Sequence, residues 1–177
     1  MIALAHGQEE REPLGIDYRV EDARLTGDPQ NFDLAVSNWL LVYAHDREEL
    51  GVMCRGLARR IKPGGRFVTL TTNPALYSWQ IHLPDYRKYG FEIRLAETAC
   101  ERAPIVWTFH LSDSSFEVEN YYLPMGAYEA ALHDAGFRDI AFHNLTLAPS
   151  PQACDEGNYW DDILKYPPAI MIDGIIA

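Results

Sequence analysis

In the first half of the chain, the spacing of hydrophobic positions alternates between helical and strand-like patterns. Residues 1–10 have apolar positions at helical spacing and predict the end of an amphipathic helix, with no N-cap residue before it. Residues 15–20 predict a short strand, and residues 26–31 are typical of a turn. Residues 32–41 are mostly apolar with little alternation, which predicts a parallel strand covered on both faces.

A second helix is predicted over residues 47–61. Asp46 can act as its N-cap, and Glu49 stands at the capping-box position. Residues 62–65 (Lys-Pro-Gly-Gly) predict the end of this helix, and residues 66–72 predict the next strand. The apolar stripe of the helix comprises Leu50, Met53, Cys54, Leu57 and Ile61.

The second half of the chain predicts antiparallel strands and one further helix. The helix begins at Pro124 and ends at Gly136, which suits the left-handed position after a helix. Strand-like runs occupy residues 91–98, 105–111, 116–123, 137–147 and 168–176, with a turn at 112–115. Strand–helix–strand order followed by antiparallel strands predicts an α/β sheet with an antiparallel edge.

Composition predicts one soluble domain over residues 1–177, located in the cytoplasm. The net charge is −11, which argues against nucleic acid and anionic membranes as partners because these bind clustered basic residues. No apolar run reaches the length of a membrane span. Three widely spaced cysteines, Cys54, Cys100 and Cys154, indicate neither a disulfide framework nor a metal site.

Several segments resemble the middle and end of a class I S-adenosylmethionine-dependent methyltransferase. They are FDLAVSNWLLVYA, REEL and IKPGGRFV, which run from residue 32 to residue 68. Asn73–Pro74, YRKYGFEIRLAE and YEAALHDAGF narrow the resemblance to the toxoflavin-synthase-like group of small-molecule methyltransferases. The resemblance covers nearly the whole chain and implies a Rossmann-like sheet, with residues 84–123 as an antiparallel insert that covers the substrate.

The resemblance also implies a binding site for S-adenosylmethionine. The segment DYRVEDA (17–23) is similar to the one whose acidic residue meets the adenine amino group, which gives this role to Asp22 and a backbone contact to Ala23. Ser37, Asn38 and Trp39 stand where the family places the methionine part of the cofactor. This agrees with the rule that open α/β sheets bind ligands at the carboxyl ends of their strands.

Two residues just beyond that strand, Tyr43 and His45, are the catalytic candidates, with His45 as a possible acid or base. A single histidine is more often structural, so the structural interpretation of His45 stays open. The polar residues of the predicted insert are each more typical of structural roles; they are His110, Asp113, Tyr121 and Tyr122.

The chain departs from the family in its first 31 residues. The family begins with a strand and an acidic, glycine-rich loop of the form D-x-G-x-G, followed by a second strand, and the two glycines before Ile16 follow no predicted strand. The fold expected is therefore a class I methyltransferase sheet without its first two strands. The sequence leaves open whether an internal Met was taken as the start, a segment was removed, or the loop was lost.

Two functions follow from these observations. The first is methyl transfer from S-adenosylmethionine to an N or O atom of a small molecule. The alternative is a non-catalytic, methyltransferase-like binding or partner subunit that has lost the cofactor. The strand at 32–41 would lack an inner neighbour and expose Leu34, Val36 and Leu40, which predicts a homodimer or a partner chain at this edge.

Overall fold

A computed structural model describes residues 2–25, 32–147 and 158–177. Within these ranges, 3₁₀ helices lie at Leu41–Tyr43, Pro74–His82 and Tyr86–Tyr89. The α-helices and strands are α1 (Ile2–Arg11), β1 (Phe32–Asn38), α2 (Arg47–Ala58), β2 (Ile61–Thr72), β3 (Phe91–Leu95), β4 (Pro104–His110), β5 (Ser115–Tyr121), α3 (Met125–Asp134), β6 (Phe137–His143), α4 (Asp161–Lys165) and β7 (Ala169–Ile176).

The main sheet has four strands in the order β1-β2-β7-β6. β1 and β2 run parallel, with Val36 opposite Val68, and the chain between them forms α2. β7 runs antiparallel to both β2 and β6. The predicted α/β sheet with an antiparallel edge is confirmed, and the crossover through α2 supplies its parallel pair.

A second sheet contains β3, β4 and β5, all antiparallel. Its pairing places Trp107 of β4 opposite Val118 of β5. Because side chains alternate between the two faces of a strand, Trp107 and Phe109 share one face with Val118. The three antiparallel strands predicted from alternation in this region are confirmed.

The hydrophobic core packs α2 and α3 against one face of the main sheet. α2 supplies Leu50, Met53 and Cys54, and α3 supplies Tyr128 and Leu132, all buried. Burial raises the pKa of the Cys54 thiol to about 12, so this cysteine is an inert core residue as its place on the stripe indicates.

The Asp46 cap and the left-handed Gly136 are confirmed, whereas the capping-box bond of Glu49 and the end of α2 differ from the prediction. Asp46 caps α2 by accepting a hydrogen bond from the Glu49 backbone N–H at 2.9 Å. α2 ends at Ala58 rather than at residue 61, and Ile61 begins β2. Residues 62–65 lie within β2 and so do not end the helix as predicted. Gly136 has a φ of 95° after α3, which confirms its left-handed position.

The N-terminal predictions are partly wrong. α1 is a helix, but none of its residues is buried, so it has no face packed into the core. Residues 15–20 form no strand, because no described strand lies beside them to complete the hydrogen bonds. β1 is not covered on both faces, since Leu34 and Val36 are 54% and 61% exposed. Residues 26–31 and Cys154 lie outside the described residues.

Candidate functional site

Two cavities meet the chain just beyond the carboxyl end of β1. Leu40 lines a cleft of about 650 Å³, and its neighbour Trp39 lines a smaller cavity of about 200 Å³. The end of one strand therefore borders two separate spaces. This is the place where open α/β sheets bind their ligands.

The larger cleft is lined by residues of the segment 15–23, of β1 and of α2. Asp22 and Ala23 lie in its wall, as do Phe32, Leu57 and Arg60. The sequence reasoning assigned Asp22 and Ala23 to the cofactor, and the fold brings both into one cleft with the end of β1. The cleft volume falls within the range of about 300–1,000 Å³ found for small-molecule sites.

The Asp22 carboxylate is held by Arg24. The Arg24 guanidinium donates to both oxygens, with Nη2 at 2.6 Å from Oδ2, and the Arg24 backbone N–H donates to Oδ1 at 2.9 Å. These bonds lower the pKa of Asp22 to about 2. Asp22 is therefore ionised near neutral pH and acts only as an acceptor, as an adenine amino group would require.

The pairing predicts how Asp22 titrates. Because its folded pKa is below the usual 3.8, the pair favours folding above pH 3.8, and this contribution is lost as pH falls through about 2. An Arg24→Gln variant should raise the Asp22 midpoint toward 3.8 in a carboxyl-detected NMR titration. Arg60→Gln, which removes a pair with Glu21 instead, should leave it unchanged. An unaltered midpoint in Arg24→Gln would contradict the assigned contact.

Gly56 sets the position of the Ala23 backbone. A Cβ atom at Gly56 would lie 2.2 Å from the Ala23 carbonyl oxygen, a distance that no side chain tolerates. The segment carrying Asp22 and Ala23 therefore rests directly on the backbone of α2. Glycine at this place allows the cleft wall to approach the helix.

Trp39 has a backbone conformation that is unusual for a large residue. Its φ is 57°, in the left-handed region where bulky side chains are rare. Its ring meets Trp107 edge to face, with centroids 5.2 Å apart and planes at 70°. Strain of this kind persists where the surroundings demand it, and here it places the indole in the wall of the small cavity.

The small cavity is mainly aromatic. Tyr43 lines it, so one of the two catalytic candidates stands beside the end of β1. Its other lining residues come from the second sheet and were missed by the sequence reasoning: Trp107, Phe109, Val118 and Asn120. The alternation of Trp107 and Phe109 on one strand was the available signal, but it could not show what that face meets.

His45 is bound to Glu49 rather than standing alone. The Glu49 carboxylate accepts from the His45 backbone N–H at 3.0 Å and lies 2.8 Å from Nδ1. The bonds from His45 lower the pKa of Glu49, so its carboxylate is ionised and can only accept. Nδ1 therefore carries the proton, and in the neutral imidazole Nε2 is left as the basic nitrogen.

Glu49 also connects the His45 region to the large cleft. Its Oε1 accepts from Arg24 Nη1 at 2.9 Å, and Arg24 holds Asp22. The His45 ring packs on Tyr121 of β5, with centroids 4.1 Å apart. Glu49 therefore does not form the expected capping-box bond to the Asp46 backbone N–H. It binds His45 and Arg24 instead, and so connects α2 to the segments that carry these two residues.

Ser37 and Asn38 have different surroundings. The Ser37 hydroxyl is buried and donates to Thr69 of β2 at 2.9 Å, which ties the parallel strands together. Asn38 is exposed, and its side-chain amide has no hydrogen-bond partner among the described residues. Neither side chain lines the two cavities.

The polar residues of the second sheet are mostly held by neighbours. His110 Nε2 lies 2.6 Å from Glu92, and the Tyr122 ring packs on Tyr77. Tyr121 donates to Glu119 at 2.9 Å, and Asp113 lies in an exposed bend. Tyr121 also contacts a catalytic candidate, because its ring packs on that of His45.

Within the described ranges, no group of three His, Cys, Asp or Glu side chains is placed to hold a metal ion. In the same part of the chain, every helix is too short or too polar to cross a bilayer.

Known structures share this fold. An S-adenosylmethionine-dependent methyltransferase from Clostridium acetobutylicum matches 99% of this chain and 70% of its own, with a TM-score of 0.61 and 12% identity. One from Mesorhizobium loti matches 97% of this chain and 75% of its own, with a TM-score of 0.59 and 20% identity. An amino pentose methyltransferase from Micromonospora echinaspora was solved with S-adenosylmethionine bound. It matches 99% of this chain over 70% of its own length, with a TM-score of 0.59 and 13% identity.

The chain spans 66% to 75% of the length of such structures, the lower value for a protein from Pyrococcus horikoshii. No protein-family model matches the sequence, and no curated protein is significantly similar to it. The structural matches show that the chain has the fold of S-adenosylmethionine-dependent methyltransferases, with a mixed sheet.

Proposed function

We propose that this chain serves methyl transfer from S-adenosylmethionine to an N or O atom of a small molecule. The observation that carries the proposal is the pair of cavities at the end of β1, in a fold shared with methyltransferases. A transfer between two molecules needs two adjoining sites, and Trp39 and Leu40 border one each. In this proposal the large cleft takes the cofactor and the small cavity takes the acceptor.

The large cleft suits the adenine end of S-adenosylmethionine. Asp22 presents an ionised carboxylate for the amino group, and the Ala23 backbone lies beside it. Ser37, Asn38 and Trp39 are proposed for the methionine part on the resemblance, although Ser37 and Asn38 lie outside the lining of both cavities and Trp39 lines the smaller one. When bound, the sulfonium supplies an activated methyl group, so the protein's task is mainly positioning.

His45 is the base in this proposal, and Tyr43 helps to position the acceptor. His45 lines neither cavity, but Glu49 leaves its Nε2 as the basic nitrogen, which in this proposal takes the proton that an N–H or O–H acceptor loses on methylation. Tyr43 stands in the wall of the acceptor cavity. The antiparallel sheet within residues 84–123 provides the other wall and acts as the insert covering the substrate.

Binding of S-adenosylmethionine tests the proposal. We expect weak binding, detectable by saturation-transfer NMR, because the sequence has no glycine-rich loop to hold the ribose and methionine. Asp22→Ala should abolish the signal, since an unpaired amino donor costs about 1–3 kcal/mol. Asp17→Ala, which alters the same cleft wall away from Ala23, should retain it. A signal that survives in Asp22→Ala would remove Asp22 from the site.

The alternative function is a non-catalytic binding or partner subunit with a methyltransferase fold. A wild-type chain that gives no S-adenosylmethionine signal, while remaining folded, would support this alternative. We further propose that the chain belongs to the toxoflavin-synthase-like group, because it contains the segments that resemble that group. The acidic composition supports our proposal of a cytoplasmic location.

We also propose that a second copy of the chain covers the exposed face of β1. Leu34 and Val36 are exposed there, and Phe32 and Leu40 on either side of them line the large cleft. Light scattering should give a mass of about twice 20.1 kDa. Val36→Lys should shift the protein to monomer, because a charge on an edge strand blocks pairing.

The matched control is Ile81→Lys, which places the same charge at an exposed apolar residue outside β1, in the 3₁₀ helix Pro74–His82. This variant should remain dimeric. A wild-type protein that is monomeric at all concentrations would contradict the dimer.

A further inference from the structure

The Asp22 carboxylate has no acceptor position left for a ligand. Its Oδ1 accepts from the Arg24 backbone N–H at 2.9 Å and from Arg24 Nε at 3.0 Å. Its Oδ2 accepts from Nη2 at 2.6 Å and from the shared Nε at 3.1 Å. A carboxylate offers about four lone pairs to hydrogen-bond donors, and Arg24 alone occupies all of them. An amino group can therefore reach Asp22 only if the Arg24 guanidinium withdraws.

The backbone around Asp22 is held in place, so the Arg24 side chain must make this movement. The Ala23 carbonyl lies against Gly56 of α2, and the Leu25 N–H donates to the Asp22 carbonyl at 3.0 Å. The Arg24 side chain, in contrast, is half exposed. Ion pairs at exposed sites are weak because water screens both charges, so the exchange of one carboxylate for another costs little.

Glu49 offers the guanidinium a second carboxylate. Its Oε1 already accepts from Arg24 Nη1 at 2.9 Å, and no other donor among the described residues binds this oxygen. Its Oε2 is filled by the backbone N–H and Nδ1 of His45, at 3.0 and 2.8 Å. One lone pair on Oε1 is therefore open, and a rotation of the guanidinium can bring a second N–H to it while His45 stays bound.

A second carboxylate is what allows a neutral ligand to compete. Hydrogen bonds between a guanidinium and a carboxylate are stronger than those from a neutral amino group, so the amino group alone would not displace Arg24 from Asp22. Because Glu49 keeps the guanidinium paired after it leaves, the ligand does not have to offset the loss of an ion pair.

We infer that Arg24 is a positioning residue that closes the amino-group contact at Asp22 and opens it by moving onto Glu49. The inference rests on the proposed function, which gives Asp22 an adenine amino group as its ligand. Glu49 lies outside the lining of both cavities, so it influences binding in the large cleft only through Arg24.

Two nucleosides test the contact by ligand-observed NMR on the full 177-residue chain. Adenosine carries the amino group, and purine riboside, which lacks only that group, is the matched control ligand. Arg24→Met removes the guanidinium donors and keeps a side chain of similar length. It should tighten adenosine binding by about 2- to 12-fold, the worth of one net hydrogen bond, and leave purine riboside unaffected. Unchanged or weaker adenosine binding in Arg24→Met would overturn the inference.

Glu49→Gln should have the opposite effect on adenosine. The guanidinium then has no second carboxylate and stays on Asp22, so adenosine binding should weaken by a similar factor. In the double variant Arg24→Met/Glu49→Gln this loss should disappear, because no guanidinium is left to place. Glu48→Gln, which removes the neighbouring acidic charge of α2, is the control and should bind adenosine as the wild type does. A loss that persists in the double variant, or an equal loss in Glu48→Gln, would contradict a role through Arg24.

A measurement without ligand separates the exchange from the proposed function. In Asp22→Asn the guanidinium should move onto Glu49 and shift the NMR signal of the Glu49 carboxyl carbon. The same replacement in an Arg24→Met background should leave this signal where it is. An unchanged Glu49 signal in Asp22→Asn overturns the exchange.

The two proposals then fail separately. Adenosine binding of equal strength in wild type, Arg24→Met and Glu49→Gln overturns the inference and leaves the proposed function standing. A shifted Glu49 signal in Asp22→Asn, with no adenosine binding in any variant, supports the exchange and contradicts the assignment of Asp22 to the cofactor.

Discussion

Replacing Gly56 with alanine should destabilise the protein, although alanine is normally the better residue in a helix by about 1 kcal/mol. The added Cβ would stand 2.2 Å from the Ala23 carbonyl oxygen, and this neighbour is backbone rather than a flexible side chain. The segment with Asp22 and Ala23 must therefore move away from α2. We expect a loss of about 1–3 kcal/mol in the free energy of unfolding, measured in urea.

Gly51→Ala is the matched control in the same helix. A Cβ at Gly51 meets only the guanidinium end of Arg55, at 3.1 Å, and this side chain can turn aside. The free energy of unfolding of Gly51→Ala should be unchanged or higher by up to about 1 kcal/mol. If both variants gain stability equally, then the contact between Ala23 and Gly56 does not form in solution. Faster amide hydrogen exchange at residues 22–25 in Gly56→Ala alone would show the displaced segment directly.

Phe67→Ala should have the largest effect on stability. Phe67 lies in β2, is 1% exposed and packs on Phe137 of β6 with ring centroids 5.5 Å apart. Removing the ring leaves a cavity between the sheet and its helices, which costs about 3–5 kcal/mol for a buried phenylalanine. Thermal or urea unfolding measures the loss.

Phe116→Ala controls for the loss of an aromatic side chain at the surface. Phe116 of β5 is 49% exposed. Its replacement by alanine should therefore lower the free energy of unfolding by less than about 1 kcal/mol. If Phe67→Ala is as mild as Phe116→Ala, the ring of Phe67 is not buried as described.

Local pattern predicted most of the regular structure. The alternation in β4 and β5, the Asp46 cap and the terminal Gly136 are each encoded within a few neighbouring residues. The predictions failed where an element depends on partners distant in the chain. Residues 15–20 have a strand-like composition, yet no described strand pairs with them. β1 is apolar like a covered strand, but nothing in the described ranges covers Leu34 and Val36.

In the candidate site, too, the sequence predicted what neighbouring residues encode and missed what depends on contacts between distant segments. The resemblance predicts Asp22 and the end of β1 as parts of the site, because these residues stand in recognisable segments. It could not show that Arg24 holds Asp22, or that Glu49 binds His45 instead of capping its own helix. The aromatic face of β4 was visible as alternation, but only the tertiary structure brings Trp107 within 5.2 Å of Trp39.

The position of β7 has a consequence for the order of folding. β7 lies between β2 and β6, yet it is formed by residues 169–176, long after β2 at 61–72. During synthesis β1, α2 and β2 emerge early and must wait for the final strand before the sheet can be joined to β6. Pairings between such distant segments close large loops and form slowly. The edge of β2 that pairs with β7 therefore stays unpaired until residues 169–176 have been synthesised.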